Sequence, residues 1–352
     1  LSQVYNCNQV IYNSASATEI IQARFLRAFY YYNIVDLFGQ APYREKGSDL
    51  NSDAKVWSRA DATNFVITEL EAIVGSLPAR TADASIINKD AANFLLAKIY
   101  LNKAVFDTPS HTGFNASNVA NMNKVIQYVD AISSGTTLAP DYWDNFKPAN
   151  HTSPELIFTA KNINGVEMGG IRTRWYMGAH YNQTPGGWNG FSVLGEFYDT
   201  FNPTDRRIKN SDSGIISAFG NPMGMQIGQQ YAPGGVTKLK VRAQAGGGDL
   251  IFDKNLPANQ IVASSDLETA GVRPQKYIPD ASNLDKPEND YVFFRYADAL
   301  LMKAEALARG GAATSVAPTS ATAIATALSS RVGITTPVDL STLPLIYKAR
   351  GN

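Results

Sequence analysis

Cysteine is almost missing from this chain. Cys7 stands alone among 352 residues, so no disulfide can close within it. Its surroundings, Tyr-Asn-Cys-Asn, lack the apolar run that precedes a lipid-attachment cysteine, and it reads as a partly buried free thiol. No run of about 18 apolar residues occurs, which excludes a membrane-spanning helix, and no signal-peptide pattern is visible. Neither sign of charge is in excess. Lys+Arg and Asp+Glu both number 31, so the basic surplus that a nucleic-acid partner requires is absent and none is expected. Histidine is scarce. His111, His151 and His180 lie far apart in sequence, and none belongs to an H-E-x-x-H pattern. No phosphate loop, no dinucleotide fingerprint opening a helix and no G-x-S-x-G elbow is found. No catalytic residue, metal ligand or cofactor is expected from these motifs. The carboxylates are numerous enough that a count leaves a glycosidase pair open.

What is present is a core. Hydrophobic residues make up 44% and charged residues 18%, enough to fold one large or two ordinary domains. The organising stretch runs from Ser14 to Lys46. Ser16 and Glu19 form an S-x-x-E capping box. Ile21, Phe25, Ala28, Tyr32 and Val35 then recur at helical spacing, and Leu26, Phe29, Tyr30, Ile34 and Leu37 cover the other side. Gly39 and Pro42 mark its end. A helix apolar nearly all round is expected to be central. Residues 1–13 are expected to form a short helix before it, and residues 40–57 a loop. Further helices are predicted over 61–77, 89–106, 118–133 and 291–309, each from its own apolar stripe. Their successive hairpins suit a degenerate tetratricopeptide-like array. Between 136 and 290 helical periodicity fades, Gly, Pro, Asn and aromatics accumulate, and Glu155–Lys161 reads as a short strand. The expected fold is therefore mainly α. A helical scaffold, 1–135 and 291–352, carries a loop-rich insertion with short strands, 136–290, all within one domain.

Five stretches, in order, resemble landmarks of the SusD/RagB family: ARFLRAFYYYNIVDLFGQAPY, AANFLLAKIYLNKA, SPELIFTAK, GGWNGFSVLGEFYDTFNPTDRR and DYVFFRYADALLMKAEALARGG. The resemblance implies a SusD-like lipoprotein of the Gram-negative outer membrane, facing the cell surface. It implies glycan capture for polysaccharide utilisation and delivery to a SusC-like TonB-dependent transporter. It also implies an N-terminal lipid anchor that is not in this chain. Family members extend past both ends seen here, so the chain is expected to be a fragment. Peptide capture by a RagB-type member is the alternative. A helical-scaffold glycoside hydrolase and a scaffold that binds only a partner protein remain open as well.

Sugar recognition needs flat apolar faces for C–H surfaces and polar groups for hydroxyls. All four tryptophans, Trp57, Trp143, Trp175 and Trp188, fall in or beside predicted loops. Tyr43, Tyr142, Tyr176 and Tyr181 accompany them, and Trp175, Tyr176 and Trp188 stand out because polar partners such as Arg174, Asn182, Gln183 and Asn189 surround them. The resemblance adds Tyr43 and Trp57, on the loop after the first long helix. The expected ligand-binding set is thus Tyr43, Trp57, Trp175, Tyr176, Tyr181, Asn182, Trp188 and Asn189. Arg295, Glu305 and the pair Asp205–Arg206 are read as structural.

Overall fold

A computed structural model of the chain describes residues 1–49, 51–109, 118–166, 169–255 and 266–351. His111 lies outside the described residues. Helix accounts for 43% of the chain and strand for 12%.

The chain opens with α1 (Ser2–Asn13) and the long α2 (Ala17–Phe38). Ser16 Oγ accepts the Glu19 N–H at 3.3 Å, as a capping box requires. The reciprocal half is relayed. Ser14 Oγ donates to Glu19 at 2.6 Å and accepts the Ser16 N–H at 3.0 Å. Gly39 ends the helix in the left-handed region, φ 69°, with its N–H on the Val35 carbonyl. Phe25, Ala28 and Val35 are buried, but Leu37 and Phe38 are exposed, so the helix is central over its middle and not at its last turn. Within residues 40–57, read as a loop, β1 (Gln40–Tyr43) pairs antiparallel with β2 (Lys55–Ser58). Three helices follow, α3 (Arg59–Ile73), α4 (Lys89–Asp107) and α5 (Val119–Asp130).

Short elements come next: β3 (Leu156–Ala160), α6 (Thr173–Tyr176), α7 (Gly195–Tyr198), β4 (Lys209–Asn210), α8 (Ser213–Phe219) and β5 (Met223–Gln226). After them come β6 (Gly228–Gln229), β7 (Ile251–Phe252), α9 (Asp266–Thr269), β8 (Arg273–Gln275) and β9 (Tyr291–Arg295). The chain closes with α10 (Tyr296–Ala308), α11 (Ala321–Ser330) and α12 (Leu343–Gly351). The predicted helix 291–309 is thus a strand and then a helix. Tyr-Val-Phe-Phe-Arg favours the pleated form, and the Ala/Leu run after it favours the helix.

The chain divides into two compact units. The first comprises residues 1–137, 294–325 and 339–350; the second comprises chiefly 138–293 and 326–338. In the first, each helix packs on its sequence neighbour from α1 to α5, and α10 packs on α4 and α5. That serial packing is how helical-hairpin arrays bury their apolar faces. The core is α4, where Phe94, Leu95, Leu96, Ile99 and Leu101 are fully buried, with Ala91, Ala92 and Ala97 allowing close approach. Buried charge is paired. Glu69 accepts from Arg24 at 2.9 Å and from Arg27 at 2.6 Å. Burial pushes the Glu69 carboxyl up, but the two guanidiniums outweigh it and hold it below its ordinary value. Glu305 takes Arg350 at 2.6 Å and also Arg309.

The second unit has little regular structure, so its buried backbone groups need other partners. Asn150, Asn162, Asn289 and Asp290 supply them. Asp290 accepts the Asn162 N–H at 2.8 Å, Asn150 bridges to the Asp290 backbone, and Asn289 donates to the carbonyls of Phe146 and Ile278. β4, β5 and β8 form a small antiparallel sheet. Tyr142, Trp143, Phe146, Trp175, Phe219, Met223 and Tyr277 fill the main apolar cluster. The expected Asp205–Arg206 pair is corrected. Asp205 pairs with Arg207 at 2.5 Å, and Arg206 reaches Asp141 at 3.0 Å.

Candidate functional site

The candidate site is a turn-rich run of the second unit, residues 169–194, with α6 at its head. Ile171 and Trp175 stand one helical turn apart and both are fully buried in the main cluster. That anchoring leaves the neighbouring register, Arg172 and Tyr176, half-buried at the edge of the cluster. Trp188 returns to Tyr176. Its N–H donates to the Tyr176 carbonyl at 2.7 Å, and the rings stack at 5.8 Å between centroids, 23° apart. Trp188 is 55% exposed and Phe191 61%. The Arg172 guanidinium lies 5.8 Å from the centre of the Tyr176 ring.

The backbone beneath is pinned. Asn189 N–H donates to the Ala179 carbonyl, and the N–H groups of Gly190 and Phe191 both donate to Met177. Asn189 has φ 53°, a left-handed conformation that asparagine tolerates. Its side chain fixes it there. Nδ2 donates to the Leu267 carbonyl at 2.6 Å and Oδ1 accepts from Arg273 at 3.0 Å. Burial lowers the Arg273 pKa to about 10.

Below the surface lies a buried polar relay. The Asn182 N–H donates to His180 Nδ1 at 3.0 Å, which places the ring proton on Nε2, 2.8 Å from Glu268. Glu268 also accepts from the Arg242 N–H at 2.9 Å and from Arg242 Nε at 2.6 Å. Burial depresses the His180 pKa, and Glu268 opposes it only in part. For Glu268, burial pushes upward, but the donors from Arg242 and His180 prevail and hold it below the usual carboxylate value. Arg242 then lies across the Tyr181 ring, 3.7 Å from its centre.

The sequence-derived residues therefore separate. Tyr176 and Trp188 come together, an exposed indole on a half-buried tyrosine ring, with Tyr181 and Asn182 farther along the same run. Trp175 is corrected: its indole is sealed in the core and presents no face. Trp143 is likewise buried, with Nε1 on the Arg206 carbonyl. The amides of Asn182 and Asn189 already hold the carbonyls of Lys240 and Leu267. Tyr43 and Trp57 belong to the first unit and stack on each other at 3.9 Å across the β1–β2 hairpin, next to Phe65. The 120 Å³ pocket at that hairpin, lined by residues such as Tyr43, Arg44 and Asp53, is small for a ligand site. Sequence reasoning missed Phe191 and Arg172. Phe191 could have been found from its glycine-flanked place three residues after Trp188. Arg172 could have been found from its one-turn offset to Tyr176.

The profile of the SusD family matches residues 154–339. The starch-binding protein SusD of Bacteroides thetaiotaomicron is 27% identical over 325 residues, which cover 83% of this chain and 55% of that protein. The chain thus spans about half the length of that curated relative. A SusD superfamily protein from Parabacteroides distasonis superposes with a TM-score of 0.69 at 17% identity, covering 99% of this chain and 69% of that one. Surface glycan-binding protein A from Bacteroides thetaiotaomicron, solved in complex with laminarihexaose, gives 0.63 at 19% identity, covering 99% and 71%. At these identities the solved structures speak to the fold.

Proposed function

The chain belongs to the SusD family, and we propose on that premise that it binds glycan on an open aromatic platform and leaves it chemically unchanged. The observation that carries this reading is the exposed Trp188 indole, stacked on half-buried Tyr176 and held there by a pinned backbone. A sugar ring offers a flat C–H face, and an exposed indole meets it at little entropic cost. The names of the relatives support glycan as the ligand class: one binds starch, another is a laminarin-binding SusD-like protein. Binding without turnover is supported by the relatives' names, which describe binding proteins. Glu268, at the base of this run, is buried and held ionised by three donors, so it is no general acid. We extend the reading to the cell surface. A lipid-anchored protein of the outer membrane would capture oligosaccharide and pass it to a SusC-like TonB-dependent transporter.

Affinity electrophoresis against a panel of glycans tests this. At least one glycan should retard the protein, and Trp188→Ala should weaken that binding by about thirtyfold, the usual order for a buried-on-binding Trp anchor. Failure to bind any glycan, with tight binding of peptides, would overturn the reading in favour of peptide capture. Release of shortened glycan products would overturn its non-enzymatic part.

A further inference from the structure

We propose that the glycan on this platform is acidic: a uronate-bearing oligosaccharide whose carboxylate is received by Arg172 in exchange for Asp285. The inference rests on the platform reading and narrows it. Two stretches of the second unit carry it. Residues 169–195 contain Arg172 and Arg174 but no Asp or Glu, and residues 213–248 contain Lys238, Lys240 and Arg242 but no Asp or Glu. At the chain's average frequency, 63 residues would hold about five or six acids. The fold brings the two stretches together. Asn182 Nδ2 donates to the Lys240 carbonyl at 2.8 Å, Arg242 covers the Tyr181 ring, and Gln183 Nε2 donates to Gln226 Oε1 at 2.9 Å.

Among the described residues, three carboxylates from elsewhere pair with these five cations. Asp249 is shared by Lys238 at 3.1 Å and Lys240 at 3.3 Å, so one of the two lysines is uncompensated. Glu268 is taken up by Arg242 and His180. Arg174 donates to a neutral partner, the Tyr291 hydroxyl, at 3.0 Å. Five cations thus stand against three carboxylates across these two joined stretches, two positive charges in excess, in a chain of zero net charge.

Arg172 is the receptor for the ligand's charge. It lies against Tyr176, half of the stacking pair, and already holds a carboxylate, that of Asp285, at 2.9 Å. Both side chains of that pair stand in water, 39% and 77% exposed. Exposed ion pairs of this kind are weak, so a ligand carboxylate delivered by a stacked sugar displaces Asp285 at small cost. A uronic acid carries its carboxylate at the rim of the ring, beside the face that stacks.

Affinity electrophoresis of the full chain in gels of polygalacturonate, alginate or a glucuronate-substituted xylan tests the proposal, with the carboxyl-reduced form of each polymer, laminarin and dextran sulfate alongside. At least one uronan should retard the protein, about tenfold more strongly than its carboxyl-reduced form. Raised salt should erode the difference. Arg172→Gln should bring the uronan down to the affinity of the reduced polymer, whereas Trp188→Ala should weaken both forms. Equal affinity for the uronan and its reduced form, or an Arg172→Gln variant that binds uronan as the parent does, would overturn the proposal. Retardation by laminarin alone would overturn it while leaving the platform reading intact. Binding of dextran sulfate in place of the uronans would assign the charge to sulfate and remove the carboxylate assignment. Binding of polyglutamate with no response to any glycan would remove both readings.

Discussion

Replacing Gly187 by alanine should dismantle the platform. The Cβ it adds would stand 2.4 Å from the Ala179 carbonyl oxygen and 2.5 Å from that of Tyr176. Carbon and oxygen ordinarily approach to about 3.3 Å, so the carbonyls or the turn must retreat by nearly an ångström. Those two carbonyls are the ones that accept the N–H groups of Asn189, at 2.9 Å, and Trp188, at 2.7 Å. Losing both bonds costs about 2 kcal/mol, and forcing a methyl into a filled space adds about 1–3 kcal/mol. A destabilisation of about 3–5 kcal/mol lowers the melting midpoint of a unit this size by roughly 10 °C. Gly190→Ala is the control. Its Cβ would lie 3.5 Å from the Met177 carbonyl oxygen, an ordinary contact. Thermal unfolding followed by circular dichroism, with glycan retardation measured in parallel, compares the two. The control should match the parent in both. A Gly187→Ala protein with the parent's midpoint and affinity would refute the argument that this close approach holds the aromatic pair in place.

Other substitutions separate packing from recognition. Trp175→Ala should cost about 3–5 kcal/mol in urea unfolding, because the indole is fully buried. Trp188→Ala should stay within about 0.5 kcal/mol of the parent in the same assay; a reversed order would show that the burial pattern is wrong. Glu69→Gln should cost about 3 kcal/mol by leaving Arg24 and Arg27 facing a neutral amide. A denaturant midpoint unchanged from the parent would count against that pairing. His180 sets a pH response. Burial holds its folded pKa below the ordinary 6.5, so the unfolded chain takes up a proton that the folded chain refuses. The contribution is whole above about pH 6.5 and is lost as pH falls toward the depressed folded value, by at most about 1.4 kcal/mol per pH unit. Urea unfolding at pH 7.0 and 5.5 should show a smaller acid loss in His180→Gln than in the parent. Equal losses would refute it.

The helical framework was legible because its signals are local. Ser16, the spaced apolar residues and Gly39 predicted α2 to within a residue at each end, and the stripes of α4 and α5 did nearly as well. The misreadings have local causes too. Residues 40–57 show no alternation, yet Ala41 pairs with Trp57 and Tyr43 with Lys55 across a long connection. Asp205 and Arg206 are neighbours in sequence, but the backbone points them apart, and Arg207 takes the carboxylate. The candidate site was half legible. Glycine-flanked aromatics located the run 169–194, but no periodicity could tell Trp175 from Trp188. One is anchored by a single helical turn beside Ile171 and the other returns on a pinned strand of turns.

Caps and apolar spacing determined that the chain is mainly helical, its single cysteine that no disulfide closes within it, and five motif stretches carried the family resemblance. Caps and apolar periods act over a few residues, and the chain carries them openly. Only the tertiary structure decided which rings face water, and that two acid-free stretches converge around Tyr181. Exposure is set by what packs against a side chain, and those partners lie tens of residues away in sequence.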